Sequence, residues 1–259
     1  AYYRWLLTQS EQPPIDDNSL KYVNSGWLIS NGFLHRRRAP GTTVLKSLKS
    51  SESLTADNDS KGCGGVMRVA PIGLVALDPF RLGCDAAHIT HGHITGYTSA
   101  GAFAQAISSI LNGRGIHDAM DISRDFLREN GTTSELLDAI EHAMMMGLSA
   151  PLTVENVESL GEGWIAEEAL AISTFCALRA QDFLSGVLAA VNHSGDSDST
   201  GSMCGSLLGA LHGVEAIPQH LLDGLEGREV IEQLSYDLID KFIRNPDGDS
   251  CAKDRYPPN

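Results

Sequence analysis

Residues 195 to 213 read GDSDSTGSMCGSLLGALHG and open on five consecutive oxygen-bearing side chains, Asp196 to Thr200. Asp196 and Asp198 stand one residue apart, and the hydroxyls of Ser197, Ser199 and Thr200 are interleaved with them or follow them. Carboxylates and hydroxyls this close together suit a hard divalent cation, Mg²⁺, Mn²⁺ or Ca²⁺, rather than Zn²⁺. An EF-hand is excluded. Asp196, Asp198, Thr200 and Gly201 fit its positions 1, 3, 5 and 6, but Leu207 stands where a bidentate Glu is required.

The residues that follow say what must hold the pair. Gly201, Gly205, Gly209 and Gly213 recur every four residues. On a helix they form one stripe. Each costs about 1 kcal/mol against Ala, so the stripe predicts that another backbone comes very close. A buried helix is expected to start near Ser199 or Thr200, its amide-rich end beside the two aspartates and ready to favour anions. The competing reading is an Asx-type turn in which an Asp caps an ordinary core helix.

Further helices are expected over 100–111, 116–129, 134–146, 165–179, 182–191 and 230–244, from apolar residues at helical spacing and Asn-Gly stops. The opening AYYRWLLTQ resembles the middle of an amphipathic helix. Pro71 and Gly73 argue against a strand in 66–77. Loops are expected at 10–20, 39–43, 52–65, 150–163 and 245–259. With no dividing linker and no repeat, the reading is one all-α, multi-helix domain over 1–259.

Composition narrows the function. A 42% hydrophobic, 20% charged chain of 259 residues is globular. A formal net charge of −14 argues against nucleic-acid binding, and the short basic cluster 35–38 does not reverse that. No apolar run is long enough for a bilayer, and the opening is unlike a secretory leader. Cys63, Cys84, Cys176, Cys204 and Cys251 are dispersed without C-x-x-C spacing, which argues for reduced thiols and a cytoplasmic setting.

Three other segments could carry chemistry. Ser60, Lys61, Gly62, Cys63 and Gly64 open a glycine-rich stretch, SKGCGGVMRV, whose successive amides could face a phosphate, although it lacks the P-loop and Rossmann patterns. His91 and His93 cannot share a helical face; helix-entry roles compete with a loop-borne site. Glu167 and Glu168 suit the first turn of a helix through its dipole.

These segments resemble, in order, the successive signatures of the ADP-ribosylglycohydrolase family, relatives of the dinitrogenase-reductase-activating glycohydrolase. They read SKGCGGVMRVAPIGL, ITHGHITGYTSAGAFAQAI, GEGWIAEEALAI and NHSGDSDSTGSMCGSLLGALHGVEAIP. The resemblance covers roughly 30 to 240, and its most specific part is the G-D-x-D-[ST] element. It implies an all-α orthogonal fold and a binuclear Mg²⁺ or Mn²⁺ centre. It implies hydrolysis of the bond joining ADP-ribose to a protein side chain or small acceptor. Asp196, Asp198 and Ser199 are then metal ligands, with Asp196 and Asp198 also the catalytic candidates. Ser60 through Gly64 cradle the diphosphate or distal ribose, and His91 and Tyr97 contact ADP-ribose. The expected partners are ADP-ribosylated proteins or small molecules, with neither nucleic acid nor membrane. One signature is missing: the family's Thr-Asp-Asp motif. Asp16-Asp17 follows Ile15 and does not replace it. Either the segment that carries it lies upstream of Ala1 or this member has lost it, so the given residues hold about half of a metal centre, and an ADP-ribose-binding or transferase-blocking module is the alternative reading.

Overall fold

A computed structural model describes residues 1–50, 55–244 and 255–256. In chain order the helices are α1 (Tyr2–Thr8), α2 (Asp17–Val23), α3 (Thr42–Ser50), α4 (Ala70–Val75), α5 (Pro79–His88), α6 (Ile94–Leu111) and α7 (Ile116–Asn130). They continue with α8 (Ser134–Ser149), α9 (Val154–Glu158), α10 (Ala166–Arg179), α11 (Phe183–Val191), α12 (Ser197–His212), α13 (Gln219–Asp223) and α14 (Arg228–Ile239). Among the described residues no strand forms; an isolated antiparallel bridge joins Gly62 to Ile165. The all-α expectation holds.

The chain forms two compact units, one of 57–224 and one of 1–56 with 225–259. In the larger unit α6 packs against α4, α5, α7, α10 and α12. Phe103, Ile107, Leu170, Ile172 and Phe175 of α6 and α10 are at most 1% exposed. A helix apolar on every side belongs inside a core. The backbones of α5 and α6 almost touch: a Cβ on Gly83 would lie 2.9 Å from the Ala100 oxygen, and one on Gly101 2.7 Å from the Phe80 oxygen. The smaller unit holds α1, α2, α3 and α14, with Leu6 and Leu48 buried. It contains a cavity of about 710 Å³ walled by Trp5, Ile29, Phe33 and Tyr256 and edged by Arg36 and Arg38.

Several boundaries differ from expectation. Helix α6 starts at Ile94 rather than 100, because Thr98 and Ser99 satisfy their hydroxyls on the Ile94 and Thr95 carbonyls, both at 2.7 Å. The loop expected at 10–20 gives way to α2 at Asp17, and the one at 150–163 contains α9; they are capped by Asp16 and Thr153. The helix expected over 230–244 is α14, then a π-turn at Asp240–Arg244. Of the tail expected to be a loop, only 255 and 256 lie within the described residues, and Cys251 lies outside them.

The glycine stripe of α12 needs the largest correction. Within the helix only Gly201 is crowded, and by a side chain: a Cβ there would lie 2.4 Å from Val191 Cγ1. A Cβ on Gly205 would meet Val187 at 3.7 Å, Gly209 faces open space, and Gly213 ends the helix at φ +78°. The close backbone approach expected of α12 occurs between α5 and α6 instead.

Candidate functional site

Helix α12 begins at Ser197, so Asp196 occupies the N-cap position. A capping Asp gives its carboxylate to the amide of the second or third helical residue. Asp196 makes no such bond. It is 6% exposed, and its Oδ2 accepts from Cys63 Sγ at 2.7 Å. The competing Asx-cap reading therefore does not describe this side chain.

Its backbone is fixed from the other side. The Asp196 amide donates to the Glu162 carbonyl at 2.7 Å. A Cβ on Gly195 would lie 1.8 Å from that carbonyl oxygen, so only glycine fits there. The 161–163 turn is held in place by Glu168, whose Oε2 accepts from the Glu162 and Gly163 amides, both at 3.0 Å. Thr200 completes the joint, donating to the Ala190 carbonyl at 2.6 Å.

Asp198 is exposed, and its Oδ1 accepts from the Ser199 amide at 3.1 Å. Burial, together with neighbouring Asp198, pushes the Asp196 carboxyl up from the usual range. The hydrogen bond from Asp196 holds Asp198 down. The two carboxyls titrate as an interacting pair, Asp198 losing its proton more readily than Asp196. Among the described residues no Lys, Arg or His pairs with either carboxylate. The Ser199 hydroxyl is buried and donates to Met67 Sδ at 3.1 Å, with Cys63 Sγ 3.5 Å away. Burial and then the Asp196 carboxylate push the Cys63 thiol up to about 12, which keeps it a neutral donor. Two carboxylates and a hydroxyl at a helix start, uncompensated by any basic side chain, are a donor set that fits a hard divalent cation.

The glycine-rich segment reaches this place as a tight turn. The Cys63 amide donates to the Trp164 carbonyl at 3.0 Å, and the Val66 and Met67 amides return to the Cys63 carbonyl at 3.0 and 3.1 Å. Ser60 sits at its edge, its carbonyl accepting from His93 N at 3.3 Å. The Gly64 amide has no acceptor among the described residues. His91 is 2% exposed and packs beneath the turn; a Cβ on Gly62 would lie 3.5 Å from its Nε2, and one on Gly65 3.2 Å from its Nδ1. Burial, and then Arg68, push His91 down to about 4, so it is neutral. His93 caps α6, its Nδ1 accepting from Thr95 N at 3.1 Å.

The fold thus brings Cys63, Asp196, Asp198 and Ser199 together, and sets His91 under Gly62. Among the described residues Tyr97 makes no hydrogen bond to the carboxylates; its ring stacks on His88 at 4.5 Å. Nor are Glu167 and Glu168 merely dipole partners. Glu167 is 5% exposed and takes a charge-assisted bond from Lys61 Nζ. No local pattern in the sequence marks Met67, Glu162 or the Lys61–Glu167 pair. Glu167 had a signal, a carboxylate at the head of a helix whose following residues, Ala169–Ala177, are all buried.

A different group could also take an ion. Ligand atoms of His117, Asp118 and Asp121 lie within 4.8 Å of one another near the start of α7. Asp121 already pairs with Arg124 at 2.6 Å and His117 at 3.3 Å. These are ordinary one-turn neighbours on a helix surface.

Residues 1–248 match the family described as ADP-ribosylglycohydrolase. A protein of Archaeoglobus fulgidus is 31% identical over 217 residues, covering 81% of this chain and 68% of that protein. Human ADP-ribosylhydrolase ARH3 is 26% identical over 222 residues, covering 72% of this chain and 60% of the relative. The mouse ARH3 match, also 26% identical, covers 69% of this chain and 56% of the relative. The chain therefore spans little more than half the length of the ARH3 relatives. A solved structure titled "ADP-ribosylglycohydrolase-related protein complex" superposes with a TM-score of 0.64 at 27% identity, covering 76% of this chain and 68% of the other.

Proposed function

The chain belongs to the ADP-ribosylglycohydrolase family, and on that premise we propose that it hydrolyses the glycosidic bond between ADP-ribose and a protein side chain or small acceptor, using Mg²⁺ or Mn²⁺. The observation that carries this reading is Asp196: a buried carboxylate at a helix start that does not cap its helix, lies against a second carboxylate and has no basic partner among the described residues.

Asp196, Asp198 and Ser199 would hold the cation. When bound, it supplies a Lewis acid for the ribose hydroxyls and a water polarised towards hydroxide. The chain's own residues do the rest. The start of α12 and the Ser60–Gly64 turn offer amides, including that of Gly64, to the diphosphate. His91, neutral and packed under Gly62, keeps the floor of that turn in shape. Bond breaking at the anomeric carbon builds positive charge on the ribose ring, and the exposed, readily ionised Asp198 stands nearest to solvent to stabilise it or accept a proton. We place the enzyme in the cytoplasm, with both compact units forming one family domain.

The test is Asp196→Asn and Asp198→Asn in the full chain, with release of ADP-ribose and helicity measured together. Turnover lost at unchanged helicity supports the proposal; turnover retained refutes it. A wild-type chain that binds ADP-ribose without releasing any would select the binding-module reading.

A further inference from the structure

Three helix starts meet at Lys61. Its Nζ donates to Glu135 Oε2 in the first turn of α8 at 3.0 Å, and to Glu167 Oε1 in the first turn of α10. The other Glu135 oxygen accepts from Thr95 in the first turn of α6 at 2.7 Å. The backbone around Lys61 is anchored as well: its carbonyl accepts from Ala166 N at 2.8 Å, and its neighbour Ser60 accepts from His93 N.

Glu167 is 5% exposed, and its Oε2 has no hydrogen-bond partner among the described residues. Lys61 is the cation that compensates it. Breaking a buried pair by removing one partner is strongly unfavourable. Two carboxylates around one ammonium leave this point net negative, which suits the positive ends of three helices. An ammonium enclosed in this way is not free to neutralise a phosphate.

We propose that Glu167 is a positioning residue: acting through Lys61, it clamps the Ser60–Gly64 turn in its ligand-ready shape, and the diphosphate is met by backbone amides rather than by the Lys61 charge. The ligand in this inference rests on the function proposed above. The clamp itself rests only on the contacts at Lys61.

The two roles open to Lys61 make opposite demands on Glu167. If Lys61 is a strut, then Lys61→Met and Glu167→Gln both weaken ADP-ribose binding, each by about tenfold, the worth of one charge-assisted hydrogen bond. The double variant is then no worse than either single one, and Lys61→Arg keeps most of the affinity. If Lys61 touches phosphate directly, Glu167→Gln frees its charge and leaves binding unchanged or tighter, while Lys61→Met alone weakens it. The experiment is calorimetry of ADP-ribose on the full chain and these variants, with amide hydrogen exchange of residues 60–65 on the same samples. The double variant leaves no unpaired buried charge and keeps the comparison readable if Lys61→Met folds poorly. Parallel losses with faster exchange in both single variants support the clamp. Unchanged exchange, or a tighter Glu167→Gln, overturns it. Faster exchange in both single variants with no ADP-ribose binding even by the wild type supports the clamp and overturns the functional reading instead.

Discussion

Asp196 shows how much one side chain's context decides. Its spacing from Asp198 is local, so the pair and Ser199 were legible in the sequence. Its thiol partner was not, because Cys63 lies 133 residues away and no periodicity marks such a contact. The Lys61–Glu167 pair, 106 residues apart, was hidden for the same reason. If the two carboxylates hold a cation, Mn²⁺ should stabilise the folded chain by about 2.7 kcal/mol at roughly 100 times its Kd. Asp198→Asn should lose that gain in a thermal-unfolding titration. An equal gain in the variant would place the metal elsewhere, with the His117 group as the first alternative. His91 gives a pH prediction. Its folded value is lowered to about 4. Between the unfolded value near 6.5 and 4, the unfolded chain binds the extra proton. Stability on this account is present above about pH 6.5 and falls as pH drops towards 4, by about 3 kcal/mol in all. Urea unfolding at stepped pH should show that slope in the wild type and a shallower one in His91→Gln. Parallel slopes would mean that other groups carry it.

At the level of elements, the long helices were readable because their apolar residues recur at the helical period. The short ones were not: α2 and α9 owe their existence to caps at Asp16 and Thr153 rather than to a periodic face. The glycines of α12 were misread because sequence spacing reports which residues share a side, not what stands opposite. The structure assigns opposite signs to two members of that stripe. Gly209→Ala adds a methyl into open space and removes chain entropy from the unfolded state, so it should stabilise by up to about 1 kcal/mol. Gly201→Ala drives a methyl against Val191 and should destabilise by about 1–3 kcal/mol. Chemical denaturation of the two variants checks both; equal effects would show that packing against α11 is not what separates them.

For the molecule as a whole, the all-α class was plain from the sequence, but the division into two units was not. No linker marks it, because the smaller unit combines 1–56 with 225–259. Nearly all of the deeply buried apolar side chains belong to the larger unit; among the described residues outside 57–224, Leu6 and Leu48 are the large apolar side chains that are buried. Residues 57–224 expressed alone should therefore unfold in one cooperative step, read by circular dichroism in urea. A broad, non-cooperative loss of helicity would show that the remaining segments are needed for that core. No described helix is long and apolar enough to cross a membrane.

The discontinuity of the smaller unit has a consequence for biosynthesis. A ribosome delivers 57–224 complete while 225–259 is still being added, so the larger unit can settle in the order in which it is translated. Its companion must wait, with α1 to α3 already made, until α14 emerges from the exit tunnel.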